Sequence, residues 1–125
     1  MIILKILLIE DNEAIVKGLK YSLETAGYEV IIAFNYIEGL KNLNDVLDLV
    51  IIDINLPDGN GYDICKKMKE FYQVPSIFLS AKDEENDIVK GLELGAEDYI
   101  TKPFSVKELL VRINKILANE LTPML

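Results

Sequence analysis

Three carboxylates, a hydroxyl and an amine sit in this sequence where they could handle a phosphoryl group. Asp53 ends the apolar run Leu49-Val50-Ile51-Ile52 and is followed at once by Asn55-Leu56-Pro57-Asp58-Gly59-Asn60-Gly61, whose Pro and Gly force a loop. Glu10-Asp11 follows a second apolar run, Ser80 closes a third, and Lys102 stands directly after a fourth. Histidine is absent and cysteine occurs once, as Cys65, which removes Ser-His and Cys-His nucleophiles and His-ligated zinc. What remains is chemistry on carboxylates, hydroxyls, lysine and an oxygen-loving metal. Three neighbouring carboxylates repel one another unless a cation lies among them. Mg2+ suits that place, because it takes hard oxygen ligands, accepts one or two direct carboxylates and keeps waters that a phosphate can displace. Lys102 would then act as a point charge, and Ser80 as a donor, toward phosphoryl oxygens.

Each of these residues also has a plainer reading. An acid pair such as Glu10-Asp11 stabilises a helix N-terminus by about 0.3 to 1 kcal/mol per residue. A lone serine or lysine after a strand is commonly a solvated loop residue, and an aromatic such as Tyr99 on a last strand is commonly half-buried packing. The chemical reading rests on all of them occupying the ends of different strands of one sheet.

The sheet follows from strand and helix taking turns five times. Leu4 to Ile9 reads as the first strand, and Asn12 caps a helix carrying Ile15, Leu19, Leu23 and Ala26 that Gly27 ends. Tyr28 to Ala33 is a second strand, placed near the sheet edge by its Glu29, and Asn35 opens a helix with Ile37, Leu40 and Leu43. Asp48 to Asp53 is the third strand, its unbroken apolar run Leu49 to Ile52 of the kind buried on both faces, followed by a helix with Ile64, Met68 and Phe71 on one face. Pro75 to Leu79 is the fourth strand. Lys82 to Leu94 gives a polar, acidic helix anchored by Ile88 and Leu92 and closed by Gly95. After Asp98 to Thr101, the fifth strand, Val106, Leu109, Leu110, Ile113, Ile116 and Leu117 form the stripe of a last helix. Five such units predict an α/β, doubly wound, five-stranded parallel sheet, (βα)5, with helices on both faces. The order 2-1-3-4-5 is taken over from flavodoxin-like sheets, in which the switch point falls between strands 1 and 3. Glu10-Asp11 and Asp53 would meet there.

Length and charge narrow the classes. The 125 residues suffice for one domain with one sizeable core, and half of them are hydrophobic. Thirteen basic against 21 acidic residues leave a net charge of −8, so this domain alone should bind nucleic acid poorly. No apolar run reaches the roughly 18 residues of a membrane span. Met1 to Ile9 lacks a basic n-region and a cleavage site, and therefore reads as a strand and not a signal peptide. The single cysteine fits a reducing, cytoplasmic setting.

Glu10-Asp11, Asp53 with Leu56-Pro57-Asp58-Gly59-Asn60-Gly61, Ser80-Ala81, Gly95-Ala96-Glu97-Asp98-Tyr99 and Thr101-Lys102-Pro103-Phe104, in this order, resemble the receiver domain of two-component response regulators. The resemblance implies that Asp53 accepts a phosphoryl group from a phosphohistidine of a sensor histidine kinase. It implies that Asp11 and Asp53 hold Mg2+ directly, Glu10 through water, and Asn55 by its backbone carbonyl. Lys102 would bind the acyl phosphate, and the Lys102-Pro103 peptide bond would be cis. Ser80 and Tyr99 would be the switch pair: Ser80 moves toward the phosphoryl group and Tyr99 turns inward behind it. Such a domain is a phosphorylation-activated switch and not a turnover enzyme.

Within that family the segment from Lys90 to Lys115 is most similar to the OmpR/PhoB, winged-helix class. This implies a homodimer through the fourth helix, fifth strand and fifth helix, with Lys90-Glu108 and Asp98-Arg112 as cross-subunit partners. It also implies transcriptional output, with DNA bound only through a C-terminal domain outside this chain. Residues 1–119 would form the receiver and 120–125 the start of a linker. A stand-alone receiver acting by protein binding is the alternative. A haloacid-dehalogenase-like phosphatase shares the strand-end Asp, Mg2+, hydroxyl and lysine, but carries a second Asp two residues after the nucleophile, where this chain has Asn55. A flavin binder of the same fold would need amides and hydroxyls where Glu10-Asp11 stands.

Overall fold

The computed structural model describes residues 2–121. Five parallel strands, β1 (Lys5–Ile9), β2 (Glu29–Ala33), β3 (Leu49–Ile52), β4 (Ser76–Ser80) and β5 (Asp98–Thr101), form one sheet in the order β2-β1-β3-β4-β5. This is the expected flavodoxin-like α/β arrangement, with β2 at one edge. Helices α1 (Glu13–Thr25), α2 (Tyr36–Lys41), α3 (Gly61–Lys67), α4 (Glu85–Glu93) and α5 (Val106–Leu121) alternate with the strands. Asn12 caps α1 through Ile15 N–H, and Asn35 caps α2 through Glu38 N–H.

The strand period of two sorts the core into two layers. Ile6, Leu8, Leu49, Ile51, Ile77, Leu79 and Ile100 face α1 and α5, meeting Val16, Leu19, Leu23, Leu109, Ile113 and Leu117. Leu7, Ile9, Val50, Ile52, Phe78 and Tyr99 face the other way, toward Tyr62, Ile64, Cys65 and Met68 of the α3 layer. β1 and β3 are buried on both sides from Ile6 to Ile9 and from Leu49 to Ile52, which fixes where their last side chains emerge.

Three expectations fail in detail. Phe71 is 67% exposed and not on the inner face of its helix. Met68–Tyr72 continues α3 as a π-helical turn, and the wider turn carries Phe71 outward while Met68 stays in the core. Leu92 is likewise exposed; the inward positions of α4 are Gly91 and the partly buried Ile88. α4 begins at Glu85, not Lys82, because Lys82 is held in the preceding loop at both ends: its N–H donates to Ser80 Oγ at 3.1 Å and its carbonyl accepts from the Tyr99 hydroxyl at 2.6 Å. One element was not anticipated. Asn55–Leu56 and Gly59–Asn60 pair as a small antiparallel ribbon directly after Asp53. α5 runs to Leu121, past the boundary expected at 119, and residues 122–125 of the expected linker lie outside the described residues.

Candidate functional site

The sheet register brings the strand ends level. Ile9 pairs with Ile52 and Ser80 with Thr101, so Glu10, Asp53, Ser80 and Lys102 emerge along one edge. The backbone holds them there: Glu10 N–H donates to Ala33 O at 3.0 Å, Asp53 N–H to Ile9 O at 2.9 Å, and Lys102 N–H to Ser80 O at 2.8 Å. Oxygens of Glu10, Asp11 and Asp53 all lie within 4.8 Å of one another, with Asp11 exposed and the other two buried. The three acids expected to converge do so.

Lys102 supplies the compensating charge. Its ammonium lies 2.5 Å from Glu10 Oε1 and 3.3 Å from Asp53 Oδ2. Glu10 is 1% exposed, and burial pushes its carboxyl up to about 7 in spite of the Lys102 ammonium and the Asn12 N–H, which pull it down; the Asp53 charge pushes it further up. Burial opposes the charge on Lys102 too, but the Glu10 and Asp53 carboxylates outweigh it and hold the amine above its ordinary value. Three carboxylates facing this one ammonium are an oxygen donor set for a hard divalent cation, and the residues fit Mg2+.

The neighbouring hydroxyls are engaged. Ser80 is fully buried, its Oγ accepting from Lys82 N–H. The Tyr99 ring points inward, 5.9 Å from the Phe78 centroid, with its hydroxyl donating to Lys82 O. Burial raises the Tyr99 phenol, and the Ser80 hydroxyl partly offsets this. The Lys102-Pro103 peptide bond is cis. Asn55 N–H reaches Asp53 Oδ1 at 3.3 Å.

The four residues expected at a subunit contact lie elsewhere and find partners within the chain. Arg112 Nη1 donates to Asp98 Oδ2 and Nη2 to Glu108 Oε1, each at 2.7 Å. Lys90 Nζ stands 4.5 Å above the Tyr62 ring centroid. Sequence reasoning missed Asp58, whose carboxylate accepts from Tyr36 N–H at 2.6 Å and Ile37 N–H at 3.1 Å. Pro57-Asp58-Gly59 signals only a turn, and a partner 22 residues upstream leaves no local trace.

The sequence pattern described as the response regulator receiver domain matches residues 6–114. The chain belongs to that family. Among curated relatives of this receiver, the alkaline phosphatase synthesis transcriptional regulatory protein PhoP of Bacillus subtilis is 46% identical over 115 residues, covering 90% of this chain and 48% of its own. The transcriptional regulatory protein CpxR of Escherichia coli is 43% identical over 113 residues, covering 90% and 49%. The receiver thus spans about half the length of these relatives. Among solved structures, the BeF3-activated receiver domain of DrrB, a Thermotoga maritima OmpR/PhoB homolog, superposes with a TM-score of 0.86 at 30% identity, over 94% of this chain and 99% of that one. No helix among the described residues is long and apolar enough to cross a membrane.

Proposed function

We propose that this receiver takes a phosphoryl group onto Asp53 from a phosphohistidine of a sensor histidine kinase and acts as a phosphorylation-dependent switch. The observation that carries the reading is the Lys102 ammonium, 3.3 Å from Asp53 Oδ2, beside the cluster of Glu10, Asp11 and Asp53 carboxylates. An Asp53 oxygen forms the new bond to phosphorus as the P–N bond of the donor breaks, and the imidazole leaves with the electron pair. Lys102, already against Asp53, moves its charge to the phosphoryl oxygens. Asp11 and Asp53 would hold Mg2+ directly, Glu10 through water and Asn55 by its carbonyl; the ion supplies neutralisation of the charge that develops in transfer.

The product replaces the single charge of the Asp53 carboxylate with a phosphoryl group of about −2 that offers three acceptor oxygens. Ser80 Oγ, once it gives up the Lys82 N–H, donates to one of them. The Lys82 carbonyl meanwhile keeps the Tyr99 hydroxyl, so the phosphoryl group is wired through one loop to an aromatic under α4. Hydrolysis of the aspartyl phosphate resets the switch.

The names of PhoP and CpxR support transcriptional output through a DNA-binding domain beyond this segment, and the resemblance to the OmpR/PhoB class supports a homodimer through α4, β5 and α5. That face carries a groove of about 610 Å³ lined in part by Asp98, Glu108, Val111 and Arg112. Intact mass after incubation with Mg2+ and a small acyl phosphate tests the central step. One added phosphoryl group on the wild type and none on Asp53→Ala supports it. No adduct, even a beryllofluoride one, would sink it.

A further inference from the structure

The ribbon that follows Asp53 has too little structure of its own to stay in place. It is a pair of two-residue strands, Asn55 opposite Asn60 and Leu56 opposite Gly59, and isolated two-stranded ribbons are marginal in water even when longer. Its base is closed by Gly61 N–H on Ile54 O at 2.8 Å and by the buried Leu56. Its tip, Pro57-Asp58, reaches away from the sheet. Asn55, to which the proposed function assigns a cation-binding carbonyl, is in one arm.

The tip is fastened to α2. The exposed Asp58 carboxylate accepts from two successive backbone N–H groups, Tyr36 at 2.6 Å and Ile37 at 3.1 Å, at the unsatisfied start of that helix. Desolvation works against its charge, yet these hydrogen bonds and its own N–H hold the Asp58 carboxyl below the usual carboxylate range. Gly59 lies flat against the Tyr36 ring, where a Cβ would collide with ring carbons. The Tyr36 hydroxyl donates to Asp63 Oδ2 at 2.6 Å, in the first turn of α3. α2 is anchored, because Tyr36 and Leu40, with Leu43 just past its end, pack on the cluster that contains Ile9 and Ile64. Asn35 already caps α2 through Glu38 N–H, so Asp58 is not needed to end the helix. The two N–H groups it takes are those nearest the ribbon.

We infer that Asp58 is a positioning residue for cation binding: by clamping the ribbon tip to the start of α2 it fixes the loop of Asn55 beside Asp53. The inference rests on the proposed function, since it assigns Asp58 a part in the same site. Asp58 touches neither Lys102 nor the acid pocket, and its effect passes through the ribbon. Losing the clamp frees the Asn55 arm, and the metal must then order it on binding.

The test is titration of the metal-free protein with Mg2+ by calorimetry, with melting temperature recorded alongside, for wild type, Asp58→Ala and Asp58→Asn. Asp58 is exposed, so neither change touches the core. Asp58→Ala should weaken Mg2+ binding about tenfold, the lower end for lost support of a metal ligand. Asp58→Asn keeps an oxygen for the Tyr36 N–H and should bind within about threefold of wild type. Unchanged Mg2+ affinity in Asp58→Ala, whatever its melting temperature, reduces Asp58 to a structural cap and overturns the inference. Equal weakening in Asn and Ala also overturns it, because lost charge and not lost geometry would then be the cause. A wild type that binds no Mg2+ overturns the proposed function as well, and that result is distinct from the other two.

Discussion

The Lys102 ammonium stands 2.5 Å from Glu10 Oε1, bridging residues 92 positions apart, and it occupies the charge-balancing place among the carboxylates that a divalent cation would share. Two buried carboxylates without this lysine are uncompensated. Lys102→Met should therefore destabilise the metal-free protein by about 3 kcal/mol, the scale of breaking a buried ion pair. Saturating Mg2+ should recover much of that loss. Phosphorylation by a small acyl phosphate should slow about 100-fold even with metal, since the donor to the developing phosphoryl charge is gone. Urea denaturation with and without Mg2+ checks the first part; an identical loss in both would mean that lysine and metal do not share the pocket's charge.

Glu10 gives a pH signature. Burial raises its carboxyl from 4.5 to about 7, so between those values the folded protein binds a proton that the unfolded chain has released. Stability of the metal-free protein must then fall as pH rises through that window, by about 2 kcal/mol from about pH 5 to about pH 7 for this group alone. Glu10→Gln removes the titration, and the gap between variant and wild type should change by that amount across the window. Parallel stability curves for the two proteins in chelator would show that Glu10 is already ionised when folded. Protons and Mg2+ compete for Glu10, so metal affinity should climb through the same range.

Much of the scaffold was readable because its signals are local. The unbroken apolar run Leu49–Ile52 marks a strand buried on both faces, Asn12 marks a helix start, and Gly27 and Gly95 mark helix ends by backbone at φ 101° and 105°. Convergence of Glu10, Asp53, Ser80 and Lys102 at one edge follows from strand order once the order is assumed. The failures are tertiary. Phe71 has helical spacing with Ile64, and only the π turn, an event of packing, moves it outward. Lys82 has helix-forming chemistry, but two hydrogen bonds, to Ser80 and from Tyr99, keep it out of α4. Within one chain Arg112 reaches both Asp98 and Glu108, a choice of partners that sequence spacing alone does not reveal.

Gly91 and Gly18 separate propensity from packing on two helices. A Cβ on Gly91 would lie 2.8 Å from Tyr99 Cδ2 and 3.0 Å from Phe78 Cδ2, whereas one on Gly18 meets nothing within 4 Å. Gly18→Ala should stabilise by about 1 kcal/mol, the helix-propensity difference. Gly91→Ala gains the same propensity but must push α4 off the two rings, at about 1 to 3 kcal/mol, and should be destabilising or at best neutral. Chemical denaturation of both variants decides: equal stabilisation would mean that α4 floats freely over Tyr99. If α4 is pinned to this ring, Gly91→Ala should also disturb the Tyr99 hydroxyl at Lys82, visible as a changed tyrosine near-ultraviolet circular dichroism.

Arg112 tests the proposed dimer. In one chain it is satisfied by Asp98 and Glu108, and with its side chain 40% exposed these pairs are screened, contributing about 0 to 1 kcal/mol. Such pairs are weak enough to be exchanged for equivalent ones across a two-fold axis, with the exposed Val111 buried between copies. Phosphorylation need only bias the β5 end, where Asp98 and Tyr99 are adjacent, for the exchange to become favourable. Arg112→Glu should therefore leave monomer stability within about 1 kcal/mol of wild type. It should abolish dimerisation of the beryllofluoride-treated protein, because like charges at Asp98 and Glu108 then oppose each other on both faces. Sedimentation velocity with and without beryllofluoride reads the outcome: a variant that still shifts to the dimer boundary places the contact on another surface.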